Sequence, residues 1–315
     1  MGSDIHLIVV GGHTELLAVA RARIDELERR WSRFLPDSEV SQLTTCAGEP
    51  VHVSDDTLLL VDRAVEAWRL TGGGFDPTLL DALRHAGYDR TFDDIRDTHI
   101  IDDLPPLALT RPGPTDIVFG PTDHAVGATI TLPAGMGFDP GGIGKGLAAD
   151  LVATELIAAG ADGVCVNMGG DVRVRGASPT GDGWTLAIEH PWCAAPIALI
   201  GLWEGAVATS SVLRRVWTVG GQRRHHLIDP ATEKSSDSDL AFASVIAGDA
   251  WKAEVLAKAV LLRGSLRAFD LLDETMAALT VSHDGTVRYN TPFASFLGGV
   301  ALPDRLEFDQ EKDHR

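Results

Sequence analysis

Apolar and polar positions recur along this chain in two rhythms, and the rhythms predict its elements. Ile5–Val10 (IHLIVV) is a short apolar run ending at Gly11-Gly12 and predicts a buried strand. Leu16, Ala20, Ile24, Leu27 and Trp31 then return at helical spacing with Arg and Glu between them, which predicts an amphipathic helix packed on a sheet. Leu58, Val61, Val65 and Trp68 repeat that stripe over 58–70. Residues 89–135 are rich in Asp, Pro and Gly and carry only short strand-like pieces. A helix is predicted over 144–159, entered through glycines and stopped at Gly160.

Short β runs follow at 163–166, 172–174, 184–189 and 198–203. Val216–Val219 and 225–228, joined through Gly220-Gly221, predict a hairpin, because a Gly-Gly pair accepts the positive φ angles of a tight turn. A strand over 242–247, a helix over 249–262 and a second hairpin at 276–281 and 287–289 complete the pattern. Strands and helices are mixed without a regular βαβ alternation. The fold class that follows is α+β, with mostly antiparallel sheets flanked by helices. No clean linker interrupts residues 1–300, which read as one unit with two subdomains meeting near 136–146. Residues 301–315 form a polar C-terminal tail, expected to fray from Pro303 onward.

Composition narrows the function classes. With 315 residues, 44% of them hydrophobic, the chain can bury a large core. A net charge of −18 argues against a nucleic-acid partner, which needs a basic face to displace counterions. Arg214-Arg215 and Arg223-Arg224 stand out as local basic pairs that read as solvated surface or as contacts to an anion. Cys46, Cys165 and Cys193 are odd in number and far apart, so neither a zinc site nor a disulfide framework is indicated. Met1-Gly2-Ser3-Asp4 has no signal-peptide character and no run reaches membrane-span length, so a cytoplasmic location is expected.

Three glycine clusters carry the candidate chemistry: TGGGFDPT at 71–78, GMGFDPGGIGKG at 135–146 and NMGGD at 167–171. Each alone suits a tight turn. Asp76 and Asp139, however, share a Gly-Phe-Asp-Pro setting, and the second leads into a helix start beside Lys145. Helix-start amides and a lysine together attract phosphate. The spacing matches neither a Walker A loop nor a GxGxxG fingerprint.

In order along the chain, these segments resemble the FAD:protein FMN transferase (ApbE-like) family. Further stretches carry the resemblance: Met1-Gly2-Ser3, Ser32–Glu39 (SRFLPDSE), 139–150 (DPGGIGKGLAAD), 184–191, Ala208-Thr209-Ser210-Ser211 and His226-Leu227-Ile228-Asp229-Pro230. The resemblance implies a bound FAD touching Met1, Phe34, Gly74, Phe75, Asp76, Asp139, Lys145 and Ile228. It also implies cleavage of the FAD pyrophosphate, with FMN passed to a Thr or Ser of an acceptor protein, AMP released, and Mg²⁺ polarising the pyrophosphate. The implied metal groups are the Gly142 carbonyl and two helix ligands, Asp and Thr in the family. Here those two positions are Glu254 and Lys258, so the metal site departs from the pattern. Two further departures follow His226-Leu227-Ile228-Asp229-Pro230, where the family's TGxP gives way to Ala231–Lys234, and at Ser211, a glycine in the family.

Two readings stay open for Glu254 and Lys258: a lysine charge that replaces the metal's, or an i,i+4 ion pair that closes the site. His226 is a candidate general base, phosphate contact or hydrogen-bonded structural residue, and His226 and Lys258 are the candidate catalytic residues. Asp171 and Asp229 read as turn-capping acids. The activity alternatives are an FAD-binding protein without transfer and an FAD pyrophosphatase with water as acceptor.

Overall fold

A computed structural model describes residues 4–95, 111–121, 128–299 and 301–306. Seven strands build its main sheet: β1 (Ile5–Val10), β2 (Gly163–Met168), β3 (Asp171–Gly176), β4 (Gly205–Ser211), β5 (Leu240–Ala247), β6 (Ala277–Ser282) and β7 (Val287–Tyr289). Each pairs antiparallel with the next, so the sheet is a sequential meander into whose connections other elements are inserted. The fold is α+β.

Four helices matter most: α1 (Leu16–Trp31), α2 (Asp55–Leu70), α3 (Gly144–Ala158) and α4 (Ala250–Leu262). Ser54 caps α2 by accepting from the Thr57 amide, as a serine before an apolar stripe should. Arg23 of α1 bonds Asp56 of α2 at 2.6 Å and Glu155 of α3 at 2.9 Å, tying the three together.

The sheet alternates by its period of two. Val164, Val166, Ala206, Ala208, Ala243 and Val245 turn toward α3 and α4 and join one core. Cys165, Val207, Phe242, Ile246 and Leu279 turn the other way, under the Trp184–Ile188/Ala198–Leu202 hairpin, and join a second. Because both faces are covered, α3 and α4 are apolar nearly all round.

Three local expectations change. β1 is an edge strand rather than a buried one: it has a partner on one side only among the described residues, and Ile5 and Ile8 are 39% and 47% exposed. The Gly220-Gly221 hairpin closes on Gln222–His225, not 225–228, because two residues at φ 55° and 79° suffice to reverse the chain. Residues 303–306 do not fray. Val287 donates to the Asp304 carbonyl and Leu306 to that of Gly285, both at 2.8 Å, and Leu306 is buried.

The crossing of α3 and α4 sets the position of everything in the site. Gly146 is its tightest point. A Cβ there would lie 2.6 Å from the Ala250 carbonyl carbon and 2.7 Å from the Trp251 nitrogen, both rigid backbone. Gly146→Ala should therefore destabilise the protein by about 1–3 kcal/mol through overpacking. Denaturant unfolding checks this, and an unchanged midpoint would mean the two helices part freely.

Candidate active site

Two helices enter the site at the crossing just described, and each takes its N-terminal cap from the other. The first amides of α4, on Ala250 and Trp251, donate to Oδ1 and Oδ2 of Asp150 in α3, each at 3.0 Å. The amide of Gly146 in the first turn of α3 donates to Oε2 of Glu254 in α4 at 2.8 Å. Neither helix has a side-chain cap from its own flanking residue. Burial pushes the Asp150 carboxyl up to about 6, against the two amides and Arg173 at 3.1 Å.

Lys145 stands between two acids. Its Nζ donates to Glu254 Oε1 at 2.5 Å and to Asp171 Oδ2. Burial alone would lower this lysine, but the two carboxylates outweigh it and hold the ammonium above its ordinary range. Asp171 is raised by its own burial and by Glu254, against the pull of Lys145. Asp171 thus does more than cap a turn: it is an ion-pair partner on the cavity wall.

Lys258 lies one turn beyond Glu254 in α4. The two do not pair across the helix, because both Glu254 oxygens are already bonded to Gly146 and Lys145. The Lys258 ammonium rests against the 139–143 loop, where a Cβ on Gly142 would come within 3.1 Å of Nζ. It is 5.5 Å from the Phe75 ring centroid, a cation–π distance. Among the described residues Nζ makes no ion pair or hydrogen bond. Burial lowers its pKa, while the charges of Asp139, Glu254 and Asp76 oppose that shift.

These groups open on a cavity of about 660 Å³, whose wall also includes Asn167, Thr209, Arg215 and His226. A smaller recess of about 100 Å³ adjoins it, lined by Arg33, Phe34, Tyr88 and Asp139 and sharing Lys145, Arg215, His226 and Lys258 with the larger one. Two buried polar atoms among the described residues have no hydrogen-bond partner, His226 Nδ1 and Asp139 Oδ1, and both residues line the recess. Asp139 Oδ1 is 3.1 Å from Arg33 Nε, an ion pair without hydrogen-bond alignment. Burial lowers the His226 pKa well below 6.5, and the neighbouring basic groups Arg215, Lys258, His225 and Lys145 lower it further. Its imidazole is neutral at neutral pH.

The family model for the ApbE family matches residues 1–281. The chain belongs to the ApbE family. Among curated relatives, the FAD:protein FMN transferase of Treponema pallidum is 29% identical over 270 residues, covering 80% of this chain and 73% of its own. That of Klebsiella pneumoniae is 29% identical over 266 residues, covering 81% and 78%. In the solved structures, the ApbE protein of Thermotoga maritima superposes with a TM-score of 0.81 at 24% identity, over 94% of this chain and 96% of the other. The flavin transferase ApbE of Vibrio cholerae gives 0.76 at 23%, over 94% and 96%. At those identities the structures establish the shared fold.

Within this ApbE-family fold the sequence-derived residues fall into three groups. Phe34, Asp139, Gly142, Lys145, His226, Glu254 and Lys258 line the two cavities. Gly74 and Phe75 lie behind them, Phe75 being buried against Gly142 and Lys258. Asp76 and Ile228 point elsewhere: Asp76 bonds Thr78 and Arg111, and Ile228 packs with Tyr88 and Trp217. Met1 lies outside the described residues. The twin Gly-Phe-Asp-Pro loops do meet, since the Asp139 amide donates to the Pro77 carbonyl at 2.8 Å.

Gly142 and Glu254 do not fit a Mg²⁺ site. That ion needs compact octahedral oxygen coordination at about 2.0–2.1 Å. Both Glu254 oxygens already accept N–H groups, and an ammonium stands against Gly142. Among the described residues no group of three His, Cys, Asp or Glu side chains could hold a metal. No described helix is long and apolar enough to cross a membrane.

Sequence reasoning passed over Arg33, Tyr88 and Asp150. Arg215 was visible as part of a basic pair, but nothing in the pair distinguished it from Arg214, which makes an exposed ion pair with Glu189. Arg215 sits at φ 49°, a backbone region uncommon for arginine, and lines both cavities. Lys145→Met should cost about 3–5 kcal/mol, because it leaves the buried acids Asp171 and Glu254 without their cation. Adding Asp171→Asn should recover part of that loss in denaturant unfolding. A loss below about 1 kcal/mol would mean the acids are solvated and the pair resembles a surface one.

Proposed function

We propose that this chain is an FAD:protein FMN transferase. The observation that carries the reading is a cation-lined cavity, with Lys145, Arg215 and Lys258, on a chain of net charge −18, joined to a recess holding an unpartnered neutral histidine. An acidic protein that gathers cations in one cleft is fitted to an anionic ligand. Family membership and the names of its relatives support FAD as that ligand and a protein as the acceptor, with a Thr or Ser hydroxyl of that protein as the attacking group in this reading.

In this reading the dinucleotide's phosphates lie by Lys145 and Lys258 at the α3 N-terminus, where fixed cations and the positive end of the helix dipole attract anions. Phe34 and Asp139 contact it in the recess; Gly74 and Phe75 back its binding loop, and Asp76 and Ile228 shape the loops behind. The acceptor hydroxyl oxygen attacks the flavin-side phosphorus. A new O–P bond forms, the bond from that phosphorus to the bridging oxygen breaks, and AMP leaves with that oxygen. The hydroxyl proton passes to His226 Nδ1, which is unpartnered and unprotonated. Fixed cations stabilise the charge gathering on the phosphoryl oxygens.

Mass spectrometry after incubation with FAD and a Thr-bearing acceptor tests the reaction. The expected products are an acceptor carrying one FMN and free AMP. Free FMN and AMP without the adduct would make water the acceptor; no AMP at all would leave binding without transfer. His226→Ala should lower the transfer rate about 10²- to 10⁴-fold, the usual contribution of a general base, while FAD still binds. The pH profile carries a sign. The folded His226 pKa lies below 6.5, so the active neutral form persists as pH falls to 6.5, and the rate declines only beneath that. A rate already halved at pH 6.5 would remove His226 as the titrating base.

Asp139→Ala should weaken FAD about tenfold or more in calorimetry if Oδ1, ion-paired with Arg33 but without a hydrogen bond, accepts one from the ligand, since charged hydrogen bonds contribute about 1.5–3 kcal/mol. Unchanged affinity in a folded variant would return Asp139 to holding the loop.

A further inference from the structure

The cations of the cleft are not equivalent. Lys145 is held between Asp171 and Glu254, and Arg214 pairs with Glu189. Lys258 differs from both. It lines the large cavity and the recess alike, and among the described residues its ammonium has no hydrogen bond and no ion pair. What fixes it is apolar and steric: the Phe75 ring below and the side-chain-free Gly142 beside it. An ammonium left without an anion at the junction of two cavities is a charge awaiting a ligand.

The carboxylates around it point the same way. A divalent ion at the Glu254 end of the cleft would have to ligate an oxygen that already accepts from Lys145 or from the Gly146 amide. Drawing Oε2 away would also weaken the cap of α3 where it crosses α4. The ion would then share a low-dielectric cleft with the Lys145 and Lys258 ammonium groups, where like charges repel strongly. Burial lowers the Lys258 pKa, and the nearby acids Asp139, Glu254 and Asp76 act through space against that shift.

We propose that Lys258 is the counter-charge for the pyrophosphate of the bound dinucleotide, and that this site holds its substrate without a divalent metal. The inference rests on the FAD-binding reading above. It assigns to one side chain the electrostatic task that a metal ion performs in most phosphoryl-transfer sites. A single ammonium donates in three directions but cannot bridge several oxygens as an octahedral ion does, so the other cations of the cavity wall, Lys145 and Arg215, must share the load.

Calorimetry on the full chain tests this with FAD, and with riboflavin as a phosphate-free probe. In wild type the FAD dissociation constant should change less than about threefold between EDTA and millimolar Mg²⁺. Lys258→Met should weaken FAD about tenfold to a hundredfold, the range of a charged contact, and leave riboflavin within about twofold. Lys258→Arg should restore most of the FAD affinity. Wild-type FAD binding that collapses in EDTA and returns with Mg²⁺ overturns the proposal while leaving the FAD site intact. Equal loss of FAD and riboflavin in a folded Lys258→Met variant also overturns it, because the lysine would then merely support the pocket. If Lys258→Met does not fold, the chelator comparison and Lys258→Arg decide alone. Wild type that binds neither flavin overturns the FAD reading itself, and this inference with it.

Discussion

The exchange of carboxylate caps between α3 and α4 is the constraint on which the site depends. A helix start carries unsatisfied amides that cannot be buried without partners. Here both starts are buried together, and each is answered by an acid within the first two turns of the other helix, Asp150 for α4 and Glu254 for α3. Caps of this kind contribute about 0.5–2 kcal/mol each. The exchange works only at short range, which Gly146 permits by presenting no Cβ to the Ala250 carbonyl. One crossing therefore fixes Lys145 on α3 and Glu254 and Lys258 on α4 relative to the 139–143 loop.

That geometry also sets the charge states around the cavity. Two acids share one ammonium at Lys145, so part of the negative charge of the cleft is held in the wall rather than in its opening. Burial lowers the histidine's pKa, and basic neighbours, Arg215, Lys258 and Lys145 among them, lower it further. A cleft arranged this way keeps a base unprotonated beside a region suited to anions. The two properties are linked, since the cations that would bind phosphate add to burial in holding the proton off His226.

Much of this could be read from the chain alone, and the limits are physical. Helical stripes such as Leu16 to Trp31 are local signals and were legible, as was the glycine-rich entry to α3. Edge position is not local: Ile5–Val10 reads as buried because apolar content does not reveal whether a strand has one neighbour or two. Asp171 looked like a turn acid because Gly169-Gly170 precedes it, while its partner Lys145 is 26 residues away and Glu254 is 109 from that lysine. Residues 303–306 looked free because their polar side chains hide a backbone that completes the β6–β7 hairpin.

Glu254 and Lys258 show why a sound local rule can fail in a packed site. At i and i+4, with the acid first, the pair suits an exposed helix and contributes a few tenths of a kcal/mol. Side chains on a helix lean toward its N-terminus. Glu254 thus leans toward the buried start of α4, where Gly146 and Lys145 offer two charged or polar donors at 2.8 and 2.5 Å. A weak surface pair cannot compete with buried, charge-assisted hydrogen bonds, which are roughly twice as strong as neutral ones. Lys258, having lost its nearest acid to that competition, is left facing the cavity. The spacing that would have neutralised it in solvent is what leaves it available in the fold.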